Sequence, residues 1–129
     1  MQFKLEIRGL NTAVKRLEYG RKKVTHNIQR SLELVGKLVK NDAIRKAPKK
    51  SGALEQSITY KTGRNYVDIK VPKNSPAGAY ALIRHYGYYN LGEGSKSKGA
   101  DVGRLYIKRA ITDNISGIRN IFRTVFKDI

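Results

Sequence analysis

The stretch RKAPKKSGALEQSI, residues 45–58, decides how the chain divides. Before it, apolar residues recur at helical spacing. At Pro48 that pattern has to stop, because the residue before a proline is pushed out of the α region. Ser51-Gly52 then supplies a turn, with glycine free to take the backbone angles a reversal needs. From Leu54 onward Leu54, Ile58 and Tyr60 alternate with Glu55, Ser57 and Thr59, which reads as a strand.

Upstream, Val14, Leu17, Val24, Ile28, Leu32, Val35 and Val39 fall on one stripe at spacings of three, four or seven. This predicts a long amphipathic helix from Thr12 to Lys46. Lys15, Arg16, Lys22, Lys23, Arg30, Lys37 and Lys40 cluster on its far side. Gly20 and Gly36 each weaken it by about 1 kcal/mol relative to alanine, so a bend near Gly20 is expected. Before the helix, Phe3, Leu5 and Ile7 alternate with Gln2, Lys4, Glu6 and Arg8, the pattern of a half-buried strand. Gly9-Leu10 ends it, and Asn11 suits an N-cap.

Downstream, Lys61 to Asn65 reads as a five-residue hairpin loop leading into a strand with Val67, Ile69 and Val71 inward. Tyr80 to Tyr86 suggests a fourth strand. Asn90 to Gly103 has almost no apolar content and reads as a mobile loop. Leu105 to Ile129 returns to helical period, with Ile107, Ile111, Ile118, Phe122, Val125 and Ile129 on the stripe. The order predicts one α+β domain over residues 1–129. It has an antiparallel sheet of about four strands, with the long N-terminal helix and the C-terminal helix on one face.

Composition narrows the chemistry. The 129 residues include 27 Lys plus Arg against 10 Asp plus Glu, a net charge of +17, and no cysteine. Disulfides and cysteine-based metal sites are excluded. The excess of positive charge points to a polyanion or an acidic protein partner. No apolar run approaches the length of a membrane span. His26 and His85 have no metal-ligand spacing, and no nucleophile–base arrangement stands out. The reading therefore calls for no catalytic residue, cofactor or metal. Tyr80, Arg84, His85, Tyr86, Tyr88 and Tyr89 crowd one segment. They suit base stacking, a protein interface, or a half-buried sheet edge.

Ala47, Pro48, Ser51, Gly52, Leu54, Ser57 and Ile58 form a pattern that resembles the small tail-completion or head–tail joining proteins of long-tailed phages. Tyr80-Ala81 with Tyr86-Gly87 matches a second element of that family, and Tyr106, Ile107 and Ala110 a third. The acidic residue frequent before the aromatic-Gly pair is His85 here, and prolines around the start of the last helix are missing. The resemblance implies a structural virion protein. It would be a subunit of a homo-oligomeric ring, hexameric or dodecameric, in the neck or tail, assembled in the host cytoplasm. Its partners would be other neck and tail proteins and, non-specifically, genomic DNA in the channel. Lys15, Lys22, Lys23, Arg30, Lys37 and Lys40 would face the lumen or a neighbour. The competing expectations are a basic nucleic-acid-binding module and a small enzyme.

Overall fold

The computed structural model describes residues 1–6, 21–48, 52–78, 81–86, 103 and 105–126. Its elements run β1 (Gln2–Glu6), α1 (Arg21–Lys46), α2 (Ala53–Ser57), β2 (Thr59–Thr62), β3 (Tyr66–Lys70), α3 (Ala81–Tyr86), α4 (Tyr106–Thr112) and α5 (Ile115–Phe126). The fold is α+β, with three antiparallel strands in the order β1-β3-β2 among the described residues. Ile7, the start of the long helix over 12–20, the bend near Gly20 and most of the 90–103 loop lie outside the described residues.

Register follows from the period of two. Phe3 pairs with Ile69 and Ile69 with Tyr60; Leu5 pairs with Val67 and Val67 with Thr62. Each row therefore places its apolar side chains on one face, and a one-residue slip would turn them all outward. Val67 and Ile69, on the central strand, are fully buried, whereas Phe3 and Leu5 on the edge are half-buried.

α1 covers that face. Its 26 residues span about 39 Å at the usual rise. Ile28, Leu32, Val35, Val39 and Ala43 form its buried stripe, and Ala47 extends the stripe past the helix end. Polar contacts on one flank of α1 fix it against the hairpin. Tyr60 Oη and Thr62 Oγ1 donate to the Glu33 carboxylate at 2.8 and 3.2 Å. Gln29 Nε2 donates to the carbonyls of Gly63 and Arg64 at the hairpin tip. Burial, together with the hydrogen bond to Glu33 and its charge, raises the Tyr60 hydroxyl above its ordinary pKa of 10.0.

Gly36 has a use that a propensity scale does not register. The Tyr60 ring lies where a Cβ at residue 36 would stand, and the nearest ring atoms include Cγ rather than only the far end of the side chain. The missing side chain lets helix and sheet approach. Alanine is favoured over glycine in a helix by about 1 kcal/mol, yet Gly36→Ala is expected to destabilise by about 1–3 kcal/mol through overpacking. Urea denaturation checks this. A stabilised Gly36→Ala variant would show that the ring moves aside freely.

Three sequence expectations need correction. The period-two reading from Leu54 gives way to the short helix α2, with β2 beginning only at Thr59. Gly52 sits at φ 86°, the left-handed conformation, and its carbonyl accepts the Gln56 N–H. The chain therefore turns into one helical turn rather than directly into a strand. Leu54 and Ile58, four apart, are both buried, a spacing that suits a helix as well as alternation does. The hairpin loop is also tighter than expected. The Gly63 N–H donates to the Tyr66 carbonyl, so the connection between strands is Gly63 to Asn65.

Second, the expected fourth strand is the helix α3 over Ala81–Tyr86. The Ala81 N–H bonds back to the Ala77 carbonyl at 2.9 Å, drawing the chain into a helical turn. Third, the C-terminal helix is two helices. Asn114 Nδ2 bonds the Ala110 carbonyl, and the Asn114 main-chain carbonyl accepts the Ile118 N–H, so Asn114 closes α4 and opens α5. α4 and α5 both pack along α1. The C-terminal layer thus rests on the long helix, which itself rests on the sheet.

Candidate functional site

His85 and Tyr106 anchor α3 and α4 to the sheet. The His85 ring centroid lies 5.0 Å from that of Phe3, 4.9 Å from Tyr106 and 4.5 Å from Tyr86. Its Nε2 accepts the Lys108 N–H at 3.3 Å, and its carbonyl accepts the Leu105 N–H at 2.7 Å. Tyr106 Oη donates to the Ala81 carbonyl at 3.0 Å. His85 and Tyr106 are both fully buried. The expectation that His85 belongs to an exposed aromatic interface is therefore corrected, since it is part of the core. Tyr86, next to it and edge-on to its ring, is 47% exposed. Tyr80, Tyr88 and Tyr89 lie outside the described residues, as does the side chain of Arg84.

Of the expected basic residues whose side chains are described, Arg30, Lys37 and Lys40 do not share one face. Lys15 lies outside the described residues. Lys22 and Lys23 belong to the first turn of α1, but their side chains lie outside what is described. Arg30 and Lys37 are exposed and share the outer face, seven residues apart. Lys40 is turned toward β2, half-buried, with Nζ 5.9 Å from the Tyr60 ring centroid. Pairing with an aromatic face inside its own fold uses this charge differently from an open ridge.

α5 adds further exposed cations beside those of α1. Arg119 and Arg123 are exposed on it, and the helix IleSerGlyIleArgAsnIlePheArgThrValPhe contains no acidic residue. Arg30, Lys37, Arg119 and Arg123 make no ion pair among the described residues. Between α1 and α5 runs an open groove of about 470 Å³, lined by Arg30 and Leu34 on one side and by Gly117, Asn120, Ile121, Thr124 and Val125 on the other, polar and apolar side chains alternating along it. Sequence reasoning missed this groove. Its signal was Leu34, an apolar residue lying off the buried stripe and 38% exposed.

A second missed cluster lies at the other end of α1. Asp42 accepts hydrogen bonds from Arg45 Nε, Lys46 Nζ and Asn114 Nδ2. Lys46 is only 2% exposed, and its ammonium also lies 3.5 Å from Asp113 Oδ2. The Lys46 carbonyl accepts the Gly103 N–H. Burial pulls the Asp42 carboxyl upward, but the hydrogen bonds from Lys46, Arg45 and Asn114, with the Lys46 charge, outweigh it. It titrates below its ordinary value of 3.8. The spacing of Asp42 to Arg45 and Lys46, three and four residues, was visible in the sequence. Its link to Asn114 was not.

Among the described residues no group of three His, Asp or Glu side chains could hold a metal ion. No described helix is long and apolar enough to cross a membrane. Compared with family profiles, with curated proteins and with solved structures, the chain matches none.

Proposed function

We propose that the chain is a structural subunit of a homo-oligomeric ring at the neck or tail end of a long-tailed phage particle, where it caps the tail and joins it to the head. One observation supports this reading above the others: the sequence elements that resemble that family meet one another in space. Ala47, Leu54 and Ile58 of the first element are core residues, and Gly52 has the left-handed backbone its position requires. Tyr106 of the third element bonds the carbonyl of Ala81 in the second. Tyr106, Ile107 and Ala110 are fully buried, and α4, which carries them, packs along α1, whose end at Lys46 leads into Ala47. Residues that share a core are a signature of architecture. Function then rests on the outer surfaces, as expected of a subunit that works by assembly.

The surfaces suit that role. Arg30, Lys37, Arg119 and Arg123 stand on the outer surface of α1 and α5 with no ion pair among the described residues. A ring closes by heterologous contacts, in which different patches of successive subunits meet. Positive charge near a channel would touch genomic DNA through its phosphates, without reading sequence. The proposed location is the virion, after assembly in the host cytoplasm.

Negative-stain electron microscopy and mass photometry of the purified protein test this. Closed rings are expected, alone or after mixing with neck and tail proteins of a long-tailed phage. A monodisperse monomer under both conditions would sink the ring. The exposed cations Arg30, Lys37, Arg119 and Arg123 favour a second reading, a basic nucleic-acid-binding module. It predicts a monomer or dimer whose affinity for duplex DNA falls steeply with salt.

A further inference from the structure

We propose that the groove between α1 and α5 docks an amphipathic helical segment of a different protein, one with an apolar stripe flanked by acidic residues. The floor is apolar and incompletely covered. Leu34 is 38% exposed, and Ile121 and Val125 are only half-buried. Elsewhere on α1 the apolar stripe from Ile28 to Ala43 is 0–3% exposed. α5 therefore touches the core along one side and leaves part of its own stripe open. At Gly117 the two helices are close, because a Cβ there would lie 3.3 Å from Leu38 Cδ2. Two helices with an apolar channel between them offer the surface that a third amphipathic helix covers by seating residues at i, i+3, i+4 and i+7.

Charge selects the occupant. Arg30 lines the groove and Lys37 stands two turns along the same face of α1, whereas Arg119 and Arg123 fall on the side of α5 away from Gly117, Ile121 and Val125 and face solvent. Neither Arg30 nor Lys37 makes an ion pair among the described residues, and Glu33, their neighbour at three and four residues, is engaged instead by the Tyr60 and Thr62 hydroxyls. A second copy could not supply such an acidic helix from its described long helices, since α1 carries two acids against eight Lys and Arg and α5 carries none; a ring would close through other faces. The chain's own residues 7–20 carry Arg8, Lys15 and Arg16 against Glu18 alone, a poor match for a basic rim. Nucleic acid would satisfy the cations and leave the floor unused. Single strands are held on aromatic platforms, and the groove lining is aliphatic and polar. An acidic amphipathic helix satisfies floor and rim together, with the apolar residues supplying burial and the acids orientation.

The test is selection of helical peptides from a random 16-residue display library on the full-length protein, followed by fluorescence anisotropy of the enriched sequences. Expected winners carry apolar residues at helical spacing with Asp or Glu beside them. Thr124→Trp fills the groove from an exposed position, and Arg30→Glu reverses a rim charge. Each should weaken binding by about tenfold or more, the scale of one lost hot-spot contact, with the melting temperature unchanged. Selection without enrichment would overturn the proposal, as would winners without acids or without helical spacing, or scrambled peptides binding equally well. Tighter binding of duplex DNA, or of a peptide copying residues 7–20, would assign the groove to that occupant instead. Self-association abolished by Thr124→Trp would assign it to a second copy. The proposal rests on the groove rather than on the ring. Peptide binding reports the first and electron microscopy the second, so either can fail alone.

Discussion

Asp42→Ala is expected to cost about 3–5 kcal/mol, the range for removing one partner of a buried ion pair. The loss comes less from the missing carboxylate than from what it leaves behind. Lys46 is 2% exposed, and its remaining neighbour of opposite charge, Asp113, is 3.5 Å away and itself 57% exposed. An ammonium held there must stay charged with only this longer, solvent-exposed counter-ion or break out of the core. Asn114 loses an acceptor at the same time, at the residue that separates α4 from α5. The damage should therefore spread along the C-terminal layer. Asp42→Asn keeps an acceptor and should cost less; Asp42→Ala/Lys46→Met, which removes both charges, should recover much of the loss. Guanidinium denaturation of the three variants checks the order. A single Asp42→Ala variant within about 1 kcal/mol of wild type, the scale of an exposed pair, would show that Lys46 reaches solvent.

The same carboxylate sets a dependence on pH. Its folded pKa lies below the ordinary 3.8. The stabilisation it contributes is fully present above the unfolded value and is lost as pH falls through the folded one. Wild type should therefore lose stability more steeply below about pH 4 than Asp42→Asn, and the two melting curves should converge in acid.

The sequence was most legible where one face of an element meets water and the other meets the core. β1 and α1 both satisfy that condition, and Phe3, Leu5, Ile28, Leu32, Val35 and Val39 all face inward as their spacing predicts. The stop at Pro48 and the turn at Gly52 were legible for a different reason, since each residue restricts its own backbone. Legibility failed at short segments. Leu54 and Ile58 fit alternation and one helical turn equally well. Ala81 to Tyr86, ALIRHY, is too short for Arg84 and His85 to set a period against its apolar residues, and its helix depends on hydrogen bonds to the loop before it and to Leu105. The candidate site was half legible. Arg30 and Lys37 stand out on the basic side of α1, but the groove beside them needs α5, whose placement depends on Asn114 bonding across to Asp42.

Val35→Asp should unfold much of the population, while Ile118→Asp, an equal change in chemistry, should be tolerated. Val35 is 2% exposed in the middle of the α1 stripe, between the sheet and the C-terminal layer. A carboxylate there has no described partner and no route to water, and such a substitution removes about 4 kcal/mol or more. That is a large share of the roughly 5–15 kcal/mol that holds a domain together. Ile118 lies on α5 and is only half-buried against the same core. Its replacement can turn outward, and it adds a negative charge next to Arg119 in a helix that has no acid of its own. A cost of about 1–2 kcal/mol is expected, the ordinary range for a partly buried site. The contrast bears on function, because a helix that contributes modestly to folding while exposing apolar and basic residues is free to serve assembly. Ile118→Asp should then impair ring formation or peptide docking far more than it lowers the melting temperature. Equal destabilisation by the two substitutions would place α5 fully within the core and remove the physical basis for an open face there.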